Sequence, residues 1–80
     1  MADTLEGQAL LATGDAQGAA QILVKAYAAL PSEPTVAFHY ARALAADGDP
    51  TQAQTVLLPI TDLAFPEQAQ AQELLRQLAP

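Results

Sequence analysis

Few side chains in this 80-residue chain could do chemistry. His39 is the one histidine and there is no cysteine, whereas a metal site needs several His, thiolate or carboxylate ligands converging on one point. A Ser-His-acid arrangement would need Ser32 as nucleophile. That serine stands just ahead of Pro34 and reads better as a helix cap. Asp47 and Asp49 flank Gly48, and a calcium loop is worth testing there. Such a loop takes about five oxygen ligands within twelve residues and an acidic twelfth position; the stretch DGDPTQAQTVLL ends on leucine. Gly14 and Gly48 sit in no GxxxxGK[ST] pattern, so neither cradles a phosphate. No catalytic residue, cofactor or metal site is therefore expected, and the chain does not read as an enzyme. Phe38 and Arg42 are of another kind. Four residues apart on a helix, they share a face, and aromatic and guanidinium groups are the usual anchors of interfaces. Two readings stay open: the pair meets a partner, or Phe38 packs on a neighbouring helix and Arg42 is merely solvated.

Composition narrows the partners. Nine Asp and Glu against three Lys and Arg give a net charge of −6. Lys25, Arg42 and Arg76 are too few and too scattered for the basic footprint of a nucleic-acid binder. An anionic membrane surface would repel the chain, and no run approaches the ~18 apolar residues of a spanning helix. The segment MADTLEGQALLATGD has no basic n-region, so it does not read as a secretory signal. A soluble protein is expected, its compartment left open. Eighty residues make one domain at most, and one this short buries only roughly 60% of its unfolded surface.

These side chains must be positioned by helices, because Ala, Leu and Gln dominate and β-branched and aromatic residues are few. Asp3 with Glu6 reads as an N-cap and capping-box partner, and that first helix should end at Gly14. Asp15 can cap a second helix carrying Ala19, Leu23, Ala26, Tyr27 and Leu30 at helical spacing. Pro31 stops it. Ser32 is expected to cap a third, with Pro34 in its first turn and a stripe of Ala37, Tyr40, Ala41 and Leu44. Gly48 closes that helix and Asp49-Pro50 opens the fourth. Pro59 predicts either a kink there or an end near Leu58 with an irregular stretch through Phe65. A fifth helix is predicted from Pro66, with Leu74, Leu75 and Leu78 covering the open face near Leu57 and Gln70, Gln72, Glu73 and Gln77 facing outward.

The chain also repeats itself. A shift of 34 lays Ala9, Leu10, Ala12, Gly14, Asp15, Ala19 and Leu23 on identical residues at Ala43, Leu44, Ala46, Gly48, Asp49, Ala53 and Leu57. A further shift lays Ala37 on Ala71 and Leu44 on Leu78. A period in this range marks stacked supersecondary units. The pattern resembles the tetratricopeptide repeat (TPR) family, whose 34-residue helix–turn–helix units place small residues where paired helices touch. Gly7 and Ala41 match the small residue of the first helix, Ala19 and Ala53 that of the second, Ala26 a later small position, and Pro31 the closing proline. Departures lie at Ile60, which replaces the later small residue, at Phe65-Pro66, which shifts the closing proline by one, and at Asp3 and Ala37, where an early aromatic is missing. The terminal FPEQAQAQELLRQLAP resembles the last segment of bacterial multi-repeat TPR proteins, some tied to exopolysaccharide export or protein sorting and others to thioredoxin-like co-chaperones.

The resemblance implies an all-α superhelix of about five helices: repeat one about 1–33, repeat two about 34–65 and a capping helix about 66–79, all one domain over 1–80. It implies a non-catalytic module that binds a peptide or helix of another protein in a groove lined by first helices. The groove positions are Thr4, Gln8, Leu11, Phe38, His39 and Arg42. The family's carboxylate clamp needs Lys and Asn where Thr4, Gln8, Phe38 and Arg42 stand, so a receptor for chaperone tails is not expected. The acidic surroundings favour a partner segment with basic residues. His39, with a reference pKa near 6.5, would let binding respond to pH between ~5 and ~7. The competing expectation is structural: a terminal cap, or a weakly self-associating unit, of a longer solenoid in a bacterial export or co-chaperone assembly.

Overall fold

The computed structural model describes Leu11, residues 14–30 and residues 32–78. Four helices lie among them: α1 (Ala16–Ala29), α2 (Pro34–Ala46), α3 (Pro50–Leu57) and α4 (Gln68–Leu78). Leu11 is also helical and packs, half-buried, against the core; the rest of the expected first helix, including Asp3, Glu6 and Gly7, lies outside the described residues. The fold is all-α, and the 34-residue period is visible in the backbone: α3 starts 34 residues after α1, and α4 starts 34 after α2.

The turns repeat because their residues do. Gly14 and Gly48 both have positive φ, 88° and 86°, where a side chain would be strained. At the second turn the Asp49 N–H bonds the Leu44 carbonyl at 2.9 Å and the Gly48 N–H bonds that of Ala45 at 3.2 Å, a complete Schellman closure. Each turn hands over at once to an aspartate cap. Asp15 accepts from the Gly18 N–H at 3.0 Å and Asp49 from the Gln52 N–H at 3.2 Å, satisfying amides that the first helical turn leaves orphaned.

Two expectations are corrected, and one that stood open is decided. The N-cap of α2 is Glu33, with no side-chain cap bond; Ser32 sits in an exposed turn because Pro34 already occupies N1, leaving the serine one residue too early. The last helix begins at Gln68 rather than Pro66. The Gln68 N–H bonds the Phe65 carbonyl at 3.0 Å and the Ala71 N–H that of Glu67 at 2.8 Å, so Pro66 belongs to the preceding turn. Of the alternatives at Pro59, the early end holds: α3 stops at Leu57, caps at Leu58, and turns carry the chain through Asp62. The α1 helix runs 14 residues and α3 only 8, because Pro59 has no N–H to extend the ladder.

Helix α2 packs against α1, α3 and α4, and α3 against α4. Ala19, Ala37, Ala41, Ala53 and Ala71 are all at most 1% exposed, so methyl groups are what the helices meet through, and backbones can approach closely. Leu23, Val36 and Leu57 fill the largest sealed positions, and the Tyr27 and Tyr40 rings meet at 5.2 Å between α1 and α2. The buried part of α2 is wider than the stripe predicted for it: Val36, Phe38, His39 and Ala43 are buried as well. A central helix has neighbours on several sides, and a stripe read from one pairing underestimates that.

Candidate functional site: the groove between the second and fourth helices

Helices α2 and α4 begin 34 residues apart and stand as corresponding elements of successive units. Between them opens a groove of about 530 Å³ lined by Phe38 and Arg42 on one wall and by Ala69, Gln70, Glu73, Leu74 and Gln77 on the other. Phe38, Ala69 and Leu74 give it an apolar floor, and the remaining groups supply a cation, a carboxylate and two amides.

The two walls are held differently. On α2, Phe38 is 4% exposed and belongs to the core, so only part of its ring reaches the groove. Arg42 is exposed, its guanidinium carbon lying 5.7 Å from the Phe38 centroid, within cation–π range. The same guanidinium meets the next ring: Arg42 Nη1 lies 3.3 Å from His39 Nδ1. Arginine can only donate, so Nδ1 accepts and carries no proton. His39 is 6% exposed and packs beside Phe38, ring centroids 5.3 Å apart. Burial and the Arg42 charge push its pKa below 6.5, against an opposing pull from Glu67.

On α4, Arg76 bonds Glu73, Nε to Oε2 at 2.8 Å. That bond, with the arginine's charge, holds the Glu73 carboxyl below its usual range although desolvation opposes it. The wall is braced from behind by amides. Gln68 and Gln72 both donate to the Thr61 carbonyl, at 3.2 and 3.0 Å, Gln54 donates to the Leu78 carbonyl, and Thr35 Oγ1 donates to Glu67 Oε1 at 2.9 Å. The Gln68, Gln72 and Thr35 bonds tie the irregular 58–67 stretch to α4 and α2, and the Gln54 bond ties α3 to α4. Gln72, expected on a simply solvated face, has this tethering contact.

Among the predicted groove residues, Phe38 and Arg42 line the groove together. His39 is buried behind them and reaches the groove through Arg42. Leu11 packs on the core, and Thr4 and Gln8 lie outside the described residues. Phe38 packs in the core, as one of its two readings had it, and also borders the groove. The α4 wall escaped the sequence reading, which assigned that helix to covering the core. The repeat does not supply it: a shift of 34 takes Phe38 and Arg42 to Gln72 and Arg76, and the wall is made instead by another face of that helix.

Among the described residues the His39 imidazole is bonded to no carboxylate or hydroxyl. Its bonding partner is Arg42, and Asp49 is engaged as a cap. Among the described residues no three His, Cys, Asp or Glu side chains are grouped to hold a metal, and no helix is long and apolar enough to cross a membrane.

A protein-family model described as a tetratricopeptide repeat matches residues 10–78. No curated protein and no solved structure matches the chain.

Proposed function

The chain belongs to the tetratricopeptide-repeat family, whose members are in general non-catalytic modules that bind other proteins, and from that premise we propose that it grips a peptide or helix of a partner in the groove between α2 and α4. The observation that carries this reading is the groove itself, with an apolar floor of Phe38, Ala69 and Leu74 and polar rims at Arg42, Gln70 and Gln77. Such a surface suits a segment that seats one apolar side chain on the floor and offers a carboxylate or backbone carbonyl to Arg42. The net charge of −6 favours basic residues elsewhere in that segment. In this reading the organisation is one domain over 1–80, with repeats at about 1–33 and about 34–65 and a closing helix at about 66–79.

The test uses rim residues, whose loss leaves the core intact. A partner captured by the wild-type chain is assayed against Arg42→Ala, Gln70→Ala and, as a control on the outer surface, Lys25→Ala. Arg42→Ala should weaken binding by about 1 kcal/mol or more, the usual cost of losing an anchor, and Lys25→Ala should not. Equal binding by Arg42→Ala and Gln70→Ala would move the site to the outer surface around Lys25 and Thr55.

A second reading is a terminal cap or self-association unit of a longer solenoid, in the export or co-chaperone setting that the terminal segment suggests. It is favoured by α4, which turns Leu74, Leu75 and Leu78 toward the core while its other face is polar, as terminal units require. Exposed Val24, Leu30, Leu58 and Leu63 offer apolar surface for contact between copies. Sedimentation mass that rises with concentration supports this reading; a concentration-independent monomer that still captures a partner supports the first.

A further inference from the structure

We propose that His39 is a proton-operated latch on Arg42: neutral, its Nδ1 accepts the guanidinium and holds it against the Phe38 ring at the groove wall; protonated, it drives the guanidinium off that wall and further into the groove. The two states differ at one atom. In the present geometry Nδ1 receives Arg42 Nη1 at 3.3 Å, and a donor that cannot also accept fixes that nitrogen as unprotonated. A proton arriving at Nδ1 would place two donors and two positive charges face to face, with the His39 ring only 6% exposed and poorly solvated on its own side. Something must give, and the mobile member is Arg42. Its side chain is exposed, on a flexible stem, and its other hold is the Phe38 ring at 5.7 Å, a contact of modest strength at a solvated site. The imidazole itself is wedged beside Phe38 within α2.

The charges acting on the ring from around it agree with this. Arg42, on the same helix, opposes protonation together with burial, while Glu67, from the turn leading into α4, favours it. Glu67 is itself kept near α2 by the Thr35 hydroxyl. It remains to stabilise the imidazolium once Arg42 has left, so the latch has a defined second state rather than a simple loss of structure.

The consequence for binding rests on the groove reading; the latch does not. Released, Arg42 presents its donors to whatever occupies the groove, so an anionic or carbonyl group there should bind more tightly as pH falls. By linkage the same group must raise the affinity of His39 for its proton.

The test is read on the full chain without any partner, so its failure and that of the groove reading are separable. The His39 ring and the Arg42 side chain are followed by NMR from about pH 8 to about pH 4.5, across the range in which imidazole titrates, with circular dichroism at each pH. The expected result is a His39 midpoint below 6.5, with the Arg42 resonances moving in step as they leave the Phe38 ring current while helicity is retained. Arg42→Gln, which keeps a donor and removes the charge, should raise the midpoint, and Glu67→Gln should lower it. Arg42 resonances that ignore the His39 titration, a midpoint unmoved by Arg42→Gln, or titration only as helicity collapses would each overturn the latch.

Discussion

Phe38, His39 and Arg42 lie close together on α2, yet they face different physical situations. Phe38 is nearly sealed in the core while Arg42 is exposed, so their truncations should separate cleanly. Phe38→Ala should cost roughly 3–5 kcal/mol as a buried aromatic lost, which a domain of this size can scarcely withstand. Arg42→Ala should stay within about 0.5 kcal/mol of wild type, as exposed substitutions usually do. Urea titrations of the two variants check both. His39 makes stability depend on pH. Its folded-state pKa lies below 6.5, so between that value and about 6.5 the unfolded chain holds more protons. Stability should be full above about 6.5 and fall as pH drops through the folded-state pKa. In His39→Gln, whose amide oxygen can still accept from Arg42, that part of the dependence should vanish from unfolding curves measured across the window.

At the scale of elements the two glycine–aspartate turns invite paired tests. A side chain at Gly48 meets nothing within 4 Å, so Gly48→Ala isolates the cost of positive φ. It should destabilise by about 1–2 kcal/mol, with no packing contribution, as read by thermal unfolding. Gly18 contrasts with it. A Cβ there would run into the Asp15 carboxylate, but that group ends a flexible side chain, and Asp49 caps the equivalent position over Gln52, which has a Cβ. Gly18→Ala should therefore gain part of the ~1 kcal/mol helix-propensity difference as Asp15 rotates; a fall in melting temperature would mean that the first cap cannot adjust. Ala53 is fully buried between helices, and Ala53→Leu should overpack that contact at about 1–3 kcal/mol, seen as a lower denaturation midpoint. The caps, glycines and small residues were legible because each acts on its own few neighbours in sequence. The α2 cap was not: Ser32 and Glu33 both precede Pro34, and only the placement of the first helical turn tells them apart.

For the whole molecule, α4 is the element on which the others depend from outside. Leu74, Leu75 and Leu78 lie against the core, and Gln68 and Gln72 hold the Thr61 carbonyl within the irregular stretch. Removing residues 66–80 would strip that cover, expose the α3 surface packed against it and release the 58–67 segment together. The truncated chain should self-associate or aggregate in sedimentation runs and lose helicity beyond the share of the deleted helix. A monomeric truncation of unchanged melting temperature would show that the first units are self-sufficient. The deletion also removes one groove wall, so any partner held between α2 and α4 should be lost with it.

The helical class, the 34-residue period, the turn chemistry at Gly14-Asp15 and Gly48-Asp49, and the small residues at which helices meet were all readable along the chain. Periodicity, backbone freedom and capping are properties of short stretches, and a repeat states them twice. The interruption after Leu57 was legible only as one of two outcomes, since an interior proline either kinks a helix or ends it. Only the tertiary structure decided that Phe38 is core first and groove second, that His39 lies behind Arg42 rather than beside it at the surface, and that α4 supplies the opposite wall. Those facts depend on which faces of separate helices meet and how much water remains between them. Burial also decides which way the one histidine titrates. Its direction follows from the low-dielectric surroundings and the nearby guanidinium, and spacing along the chain contains neither.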